Sequence, residues 1–518
     1  MRVDACKLGL LRTITGAGRI MPLRWGIAAL ACLLIIAAVG CSTVTEKPSA
    51  SVDDTAAQCE QLFRTLDTAV DRAGVRDGGS ARIDGFPYLR ANRFLASYGD
   101  EPMSRRQELW WIDRLKGLDT QARTIELANL PKQDRDKLDL SLLNTDDPSG
   151  GLIRCADELV RRDLSEPEAI AGLRAAVDVP DEYHDWKRAL GLYPLSALPF
   201  LTGVSAYHAD TEAVFATPLE DLPINGRLVR YEPPPSPVVD YEDLSALLTR
   251  ARRNPLKIPL PEPSELSRLF ATFAPVLEID QVDRSDRIGT PLLNEAGTPD
   301  VDTSDPVVFV RPAHTRYAGE TFLQLVYSFW FPERPRTSAI DLLAGRLDGI
   351  TWRVTLDRRG EPLLFDSIHN CGCYHMFFPT ERLRARAPAQ TFQEPILVPY
   401  TLRSWRPGKR TILRIASRTH YIQSVRYSGE SEALARERYS FAADDKLRNL
   451  QRDDNSRYSL FRPNGIVPGT QRGERFVFWP MGVPDPGAMR QWGRHATAFV
   501  GKRHFDDPKL IKRYFEMF

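Results

Sequence analysis

Four side chains able to bind a metal or carry redox chemistry recur at alternate positions in the stretch FDSIHNCGCYHMFF (365–378). They are His369, Cys371, Cys373 and His375. Thiolate with imidazole is a donor set suited to zinc or copper. Strand alternation would put all four on one face, but same-face neighbours in an extended strand lie ~6.6 Å apart, so the four would span ~20 Å. A tetrahedral zinc ion needs its ligands within ~2.0–2.3 Å of one centre. Gly372, between the two thiols, is therefore the informative residue, because it lets the chain bend or bulge there. Three readings stay open: a Cys371–Cys373 disulfide, a metal site using both thiolates with one or both histidines, and two buried thiols beside hydrogen-bonded histidines. Asp366 could orient one of the imidazoles or serve as a base, or be a solvated strand residue. His420 and His495 could approach the cluster from elsewhere in the chain. Arg334, Arg336, Asp341 and Asp348, around a predicted loop, could bind an anion or form ordinary surface ion pairs.

The compartment bears on these thiols. Residues 25–39, WGIAALACLLIIAAV, form an apolar run of 15 residues after Arg19 and Arg24 and before Cys41. A membrane span needs ~20 residues, so the order of charge, apolar run and small residues reads as a secretory signal. Its end, AVGCS (Ala38 to Ser42), resembles the lipobox of bacterial lipoproteins, with Ala38 where that class usually has Leu. The resemblance implies a lipid on Cys41 as the mature N-terminus. With Ser42 and no Asp after the cysteine, it also implies sorting to the outer membrane, facing the periplasm. Met21 begins a compact signal of ordinary length and is expected to be the true start. Residues 1–40 are expected to leave as the signal and 41–54 to serve as a small polar tether. Without residues 1–40 the chain holds 64 basic and 67 acidic residues, a net charge of −3.

Of the seven cysteines, Cys6 and Cys32 lie in the signal and Cys41 is assigned to lipid. Four remain, an even number in an oxidising compartment. Their spacing favours pairing Cys59 with Cys155, which sit on the apolar stripes of two predicted helices, with buried free thiols as the alternative.

The scaffold around these residues is read as α+β. Residues 55–230 carry helical periodicity and helix entries such as Ser104 and Ser165-Glu166-Pro167. Residues 231–274 are Pro-rich and read as a connecting segment holding one short helix. Residues 275–518 are dominated by strand patterns: 321–331, the hairpin 349–369, 410–427 and 474–482. A helix after Asp507-Pro508 closes the chain. The 518 residues are 42% hydrophobic and 26% charged with net charge +1, which excludes global disorder and leaves no electrostatic footprint for nucleic acid. The expected partner is a membrane, through the lipid. The functional expectation is a lipid-anchored envelope protein with a metal or thiol centre in the C-terminal domain; the alternative is a non-catalytic scaffold or binding lipoprotein with structural disulfides.

Overall fold

Capped amphipathic helices open the folded part. The computed structural model describes residues 52–143, 147–387, 393–403, 405–428 and 435–518; the signal, Cys41 and most of the tether lie outside the described residues. The helices are α1 (Val52–Ala73), α2 (Arg93–Ala96), α3 (Arg105–Asn129), α4 (Lys132–Arg135), α5 (Pro148–Asp163), α6 (Pro167–Ala176), α7 (Asp185–Leu190) and α8 (Tyr193–Ala216). A hairpin of β1 (Ala81–Ile83) and β2 (Phe86–Ala91) interrupts them. Ser104 starts α3 through a capping box with Gln107, and Asp147 caps α5. Leu62, Phe63 and Leu66 of α1 share a core with Trp111 and Leu115 of α3 and Leu152 and Leu159 of α5. Cys59 and Cys155 form a disulfide between α1 and α5.

The Pro-rich region is part of the next core rather than a spacer. It follows β3 (Arg227–Glu232) and contributes α9 (Tyr241–Ala251) and α10 (Pro263–Phe273). Leu244, Leu247, Leu269 and Phe273 from these helices are buried against the sheets that follow. The remaining strands are β4 (Val276–Gln281), β5 (Thr290–Leu293), β6 (Pro299–Asp302), β7 (Val307–Tyr317), β8 (Glu320–Arg334), β9 (Gly345–Leu356), β10 (Pro362–His369), β11 (Met376–Pro379), β12 (Leu383–Ala385), β13 (Thr411–Ile415), β14 (Ile422–Tyr427), β15 (Ala435–Arg438) and β16 (Ser440–Ala443). They form a six-stranded sheet of order β11-β10-β9-β8-β7-β16 and a five-stranded sheet of order β14-β13-β4-β3-β15, beside smaller pairs. One face of each sheet meets in a shared core, where Leu325, Tyr327, Trp352 and Phe365 pack with Val229, Leu277, Ile279 and Leu413. The other face of the six-stranded sheet is covered by C-terminal residues, among them α12 (Leu510–Tyr514) after α11 (Arg475–Phe478). A strand at Phe515–Met517 then pairs with β12, so the expected closing helix is shorter than predicted.

The helical and β-rich parts are tied by polar contacts. Arg448 and Gln491 both donate to Asp77, at 2.8 Å each, and Tyr98 meets the Thr321 hydroxyl at 3.0 Å. Residues 51–518 form one compact unit that holds these cores and the disulfide, so this part folds without the segment before it.

Candidate functional site

The His-Cys-Cys-His stretch is a hairpin, not a straight strand. β10 ends at His369 and β11 begins at Met376, with Asp366 opposite Phe377 and Ser367 opposite Met376. Between them the Gly372 N–H donates to the His369 carbonyl at 2.7 Å, and the His369 N–H donates to the Cys373 carbonyl at 3.0 Å. The turn needs Gly372 at φ +95°, and a side chain there would strike the Ala496 carbonyl oxygen at 2.6 Å. Reversing the chain between the histidines puts them on opposite faces of the sheet, since His375 falls on the face of Asp366 and His369 on the face of Phe365. The expected one-faced row of four is therefore corrected by the hairpin register.

Each histidine joins a different buried network. On the sandwich side, His369 Nδ1 lies 3.4 Å from Asp348, and His420 Nδ1 lies 2.9 Å from the other oxygen of the same carboxylate. His420 Nε2 approaches Asp286 at 3.4 Å, and its ring stacks on Phe331 with centroids 3.9 Å apart. Burial opposes charge on Asp348, yet His369, Arg472 and His420 hold its carboxyl well below the usual range. Burial also works against the His420 cation, but Asp286 and Asp348 outweigh it and raise its pKa. On the opposite face, His375 Nε2 donates to Asp366 at 3.0 Å, and its Nδ1 faces the Thr497 hydroxyl at 3.2 Å. Arg353 holds the same carboxylate with two N–H groups. Asp366 is thus an orienting carboxylate rather than a solvated one, and burial keeps His375 neutral, its pKa lowered to about 4.

The thiols belong to neither network. Cys371 and Cys373 are both free, and Cys371 is buried. The Cys373 N–H points at the Cys371 sulfur at 3.4 Å. Hydrogen bonding between the two thiols, together with burial, pushes the Cys373 pKa well above its ordinary value, so it stays a thiol. Among the described residues, no group of three or more His, Cys, Asp or Glu side chains is gathered to hold a metal ion. Of the four residues expected around the loop, Arg336 is exposed and donates to the Ala339 carbonyl at 3.2 Å, and the other three are engaged within the fold. Asp348 lies in β9 within the His network, Arg334 sits over the Tyr421 ring at 4.9 Å, and Asp341 is turned inward to Thr337 and Leu343. His495 is buried, its ring against Phe505 with centroids 6.3 Å apart.

What the hairpin turn does line is a cavity of about 540 Å³. One wall is α8, through Pro199, Phe200, Val204 and Tyr207; the turn from Cys371 to His375, the α11 region, residues 496–499 and the single residues Leu343, Glu394 and Tyr421 complete it. No family model, no curated protein and no solved structure matches the chain. The chemistry of the cavity therefore rests on its own walls. Besides the phenols of Tyr207, Tyr374 and Tyr421 and the Cys371 thiol, five titratable groups line it: His208, Cys373, His375, Glu394 and Glu474. Burial is the first cause for four of them. It lowers His208 and His375 to about 4, raises Glu394, and raises Glu474 to about 7. Every one is displaced toward its uncharged form.

Glu474 and α11 were not expected here. The aromatic run ERFVFWPMG satisfies strand composition, but the Glu474 N–H is captured by the Leu342 carbonyl at 3.1 Å and the chain turns helical from Arg475. Gly487 makes room for the carboxylate: a Cβ there would sit 1.9 Å from Glu474 Oε1. Spacing alone carries no sign of that pairing, because the contact lies 13 residues away in an irregular segment.

Proposed function

We propose that this chain is a lipid-anchored cell-envelope protein, tethered through Cys41 to the outer membrane on its periplasmic side, and that it binds an apolar ligand in the cavity beneath α8. The observation that carries the binding role is the state of the lining. A mostly apolar and aromatic wall carries His208, Cys373, His375, Glu394 and Glu474, each of them shifted toward neutrality. Such a site charges little for desolvating an uncharged guest and heavily for a charged one. The volume falls in the ~300–1,000 Å³ range of small-molecule sites. Titration of residues 42–518 with an environment-sensitive apolar fluorophore tests it: saturable binding that Gly203→Trp, placed on the α8 wall, blocks. No saturation, or no effect of the wall substitution, refutes it. Incorporation of labelled fatty acid that Cys41→Ser abolishes tests the anchor.

A thiol centre is the second reading, favoured by two free cysteines on the cavity wall. The raised Cys373 pKa makes it a weak nucleophile at neutral pH. Rapid alkylation of Cys373 at pH 7 would favour that reading over simple binding.

A further inference from the structure

We propose that the outer surface of α7, α8 and α11 docks on a lipid bilayer and draws the cavity's ligand, an acyl chain, from it. The ligand class rests on the apolar-cavity reading above; the docking does not. Residues 189–209 contain no Asp, Glu, Lys or Arg. Most of that stretch is α8, yet among the α8 residues only Ala197 and Thr211 are buried. A helix apolar on all sides belongs in a core or against a membrane; the inner side of α8 packs on the fold through Ala197, Phe200 and Tyr207, and its outer side, with Leu195 and Leu198, is exposed. On it and beside it the exposed apolar side chains include Trp186 (62%), Leu190 (69%), Leu192 (63%), Leu195 (68%), Leu198 (54%) and Phe476 (70%).

These side chains come from adjoining elements. The His184 N–H donates to the Gly482 carbonyl at 2.8 Å, and Phe200 of α8 meets Phe478 of α11 with ring centroids 5.3 Å apart. Gly191 lies so close to Pro480 that a Cβ would approach it at 2.5 Å. An apolar surface on this scale marks an interaction site.

Two features select a bilayer as the occupant. The first is charge. Lys187 lies 5.7 Å from the Trp186 ring and Arg475 lies 4.7 Å from the Phe476 ring. An aromatic body under a cation suits the boundary where ring meets acyl chain and cation meets phosphate. The neighbouring Asp185 shares Lys502 with Asp181, at 3.0 and 2.6 Å. The second is the chain before α1. Cys41 stands 11 residues before Val52, so a lipid on it would hold the folded part within ~40 Å of the membrane at full extension. The same α8 whose exposed side faces outward supplies Phe200, Val204 and Tyr207 to the cavity wall, so a bilayer on this face adjoins the site that would take a chain.

The test uses residues 42–518, which lack the lipid, and vesicles of phosphatidylethanolamine and phosphatidylglycerol. The protein floats with the vesicles. Brominated lipids quench part of its tryptophan emission, and that part is missing in Trp186→Phe. Leu195→Asp combined with Leu198→Asp weakens vesicle binding at least ~10-fold while thermal unfolding stays unchanged. Protein left in the soluble fraction overturns the docking. So does vesicle binding indifferent to the two Leu substitutions, or a concentration-dependent dimer that shields Trp186 from an aqueous quencher without vesicles. Fluorophore titration without vesicles reads the cavity separately. Saturable binding with no flotation leaves the cavity reading standing and the docking refuted; flotation without saturable binding does the reverse.

Discussion

Removing the disulfide with Cys59→Ala and Cys155→Ala gives a number that can be worked in advance. The two cysteines are 96 residues apart, and releasing a loop of that length returns ~4.7 kcal/mol of chain entropy to the unfolded state. How this appears in a melt depends on what unfolds together. The core around the disulfide draws on residues from Ala56 to Leu173 with Ile258. Melting alone, those roughly 120 residues would lose only ~0.25 kcal/mol per degree, and the midpoint would fall by ~19 °C. The whole folded unit carries ~1 kcal/mol per degree, and its midpoint would fall by ~5 °C. Buried contacts such as Arg448 to Asp77 and Tyr98 to Thr321 tie the helical part to the sheets, so one transition lowered by ~5 °C is expected. Differential scanning calorimetry of the variant, beside the wild type with and without reductant, reads it. A separate early transition would show that the ties are weak, and an unchanged midpoint would refute the loop argument.

Four further outcomes follow. Thiol counting on denatured, unreduced residues 42–518 finds two free thiols, from Cys371 and Cys373, and a count of zero would contradict the hairpin geometry. Asp366→Asn strips the buried Arg353 and His375 of their carboxylate and costs ~3–5 kcal/mol in denaturant unfolding; a loss under ~1 kcal/mol would refute the pairing. Burial holds His208, His314, His369, His375 and His495 below their ordinary 6.5. The unfolded chain therefore takes up protons that the folded one refuses, and stability falls as pH drops from 6.5 toward 4. His420, Glu394 and Glu474, all raised, contribute in the opposite sense but are fewer; a melting midpoint flat across that window would sink the assignment. Fluorophore affinity weakens as pH rises through about 7, where Glu474 becomes charged, and Glu474→Gln removes that dependence.

Local chemistry was readable wherever one segment decides its own conformation. Ser104 before its helix, Pro167 at a helix start and the apolar stripes under Cys59 and Cys155 all carry their instructions within a few residues. Gly372 was legible as a breaking point for the same reason. The consequence of that break was not, because only pairing of β10 with β11 sends His369 and His375 to opposite faces. His420 was read inside the strand pattern 410–427, but it lies in the turn between β13 and β14, and its partner Asp348 lies 72 residues away. The region from 231 to 274 looked like a spacer because its prolines outweigh the stripe of Leu244, Leu247 and Leu248. Glu474 was masked by the aromatic residues after it, whose strand-like composition outvotes a single capturing carbonyl at Leu342. The cavity itself has no local signature, since its walls come from seven separated stretches between Pro199 and Phe499.

The two edge strands that finish the sandwich have a bearing on how the chain is made. β15 adds to β3 in parallel, with Ala435 beside Val229, and β16 adds at once to β7, with Ser440 beside Val307. Nine residues thus stitch both sheets along their margins, and they arrive about 200 residues after the strand that β15 completes. A chain emerging N-terminus first leaves β3 open on one side through that interval, and β7 open through its later part. Those open margins are templates for pairing with a neighbouring chain. The hazard lies in the vectorial delivery of the polypeptide, and it ends only when this late stitch is drawn.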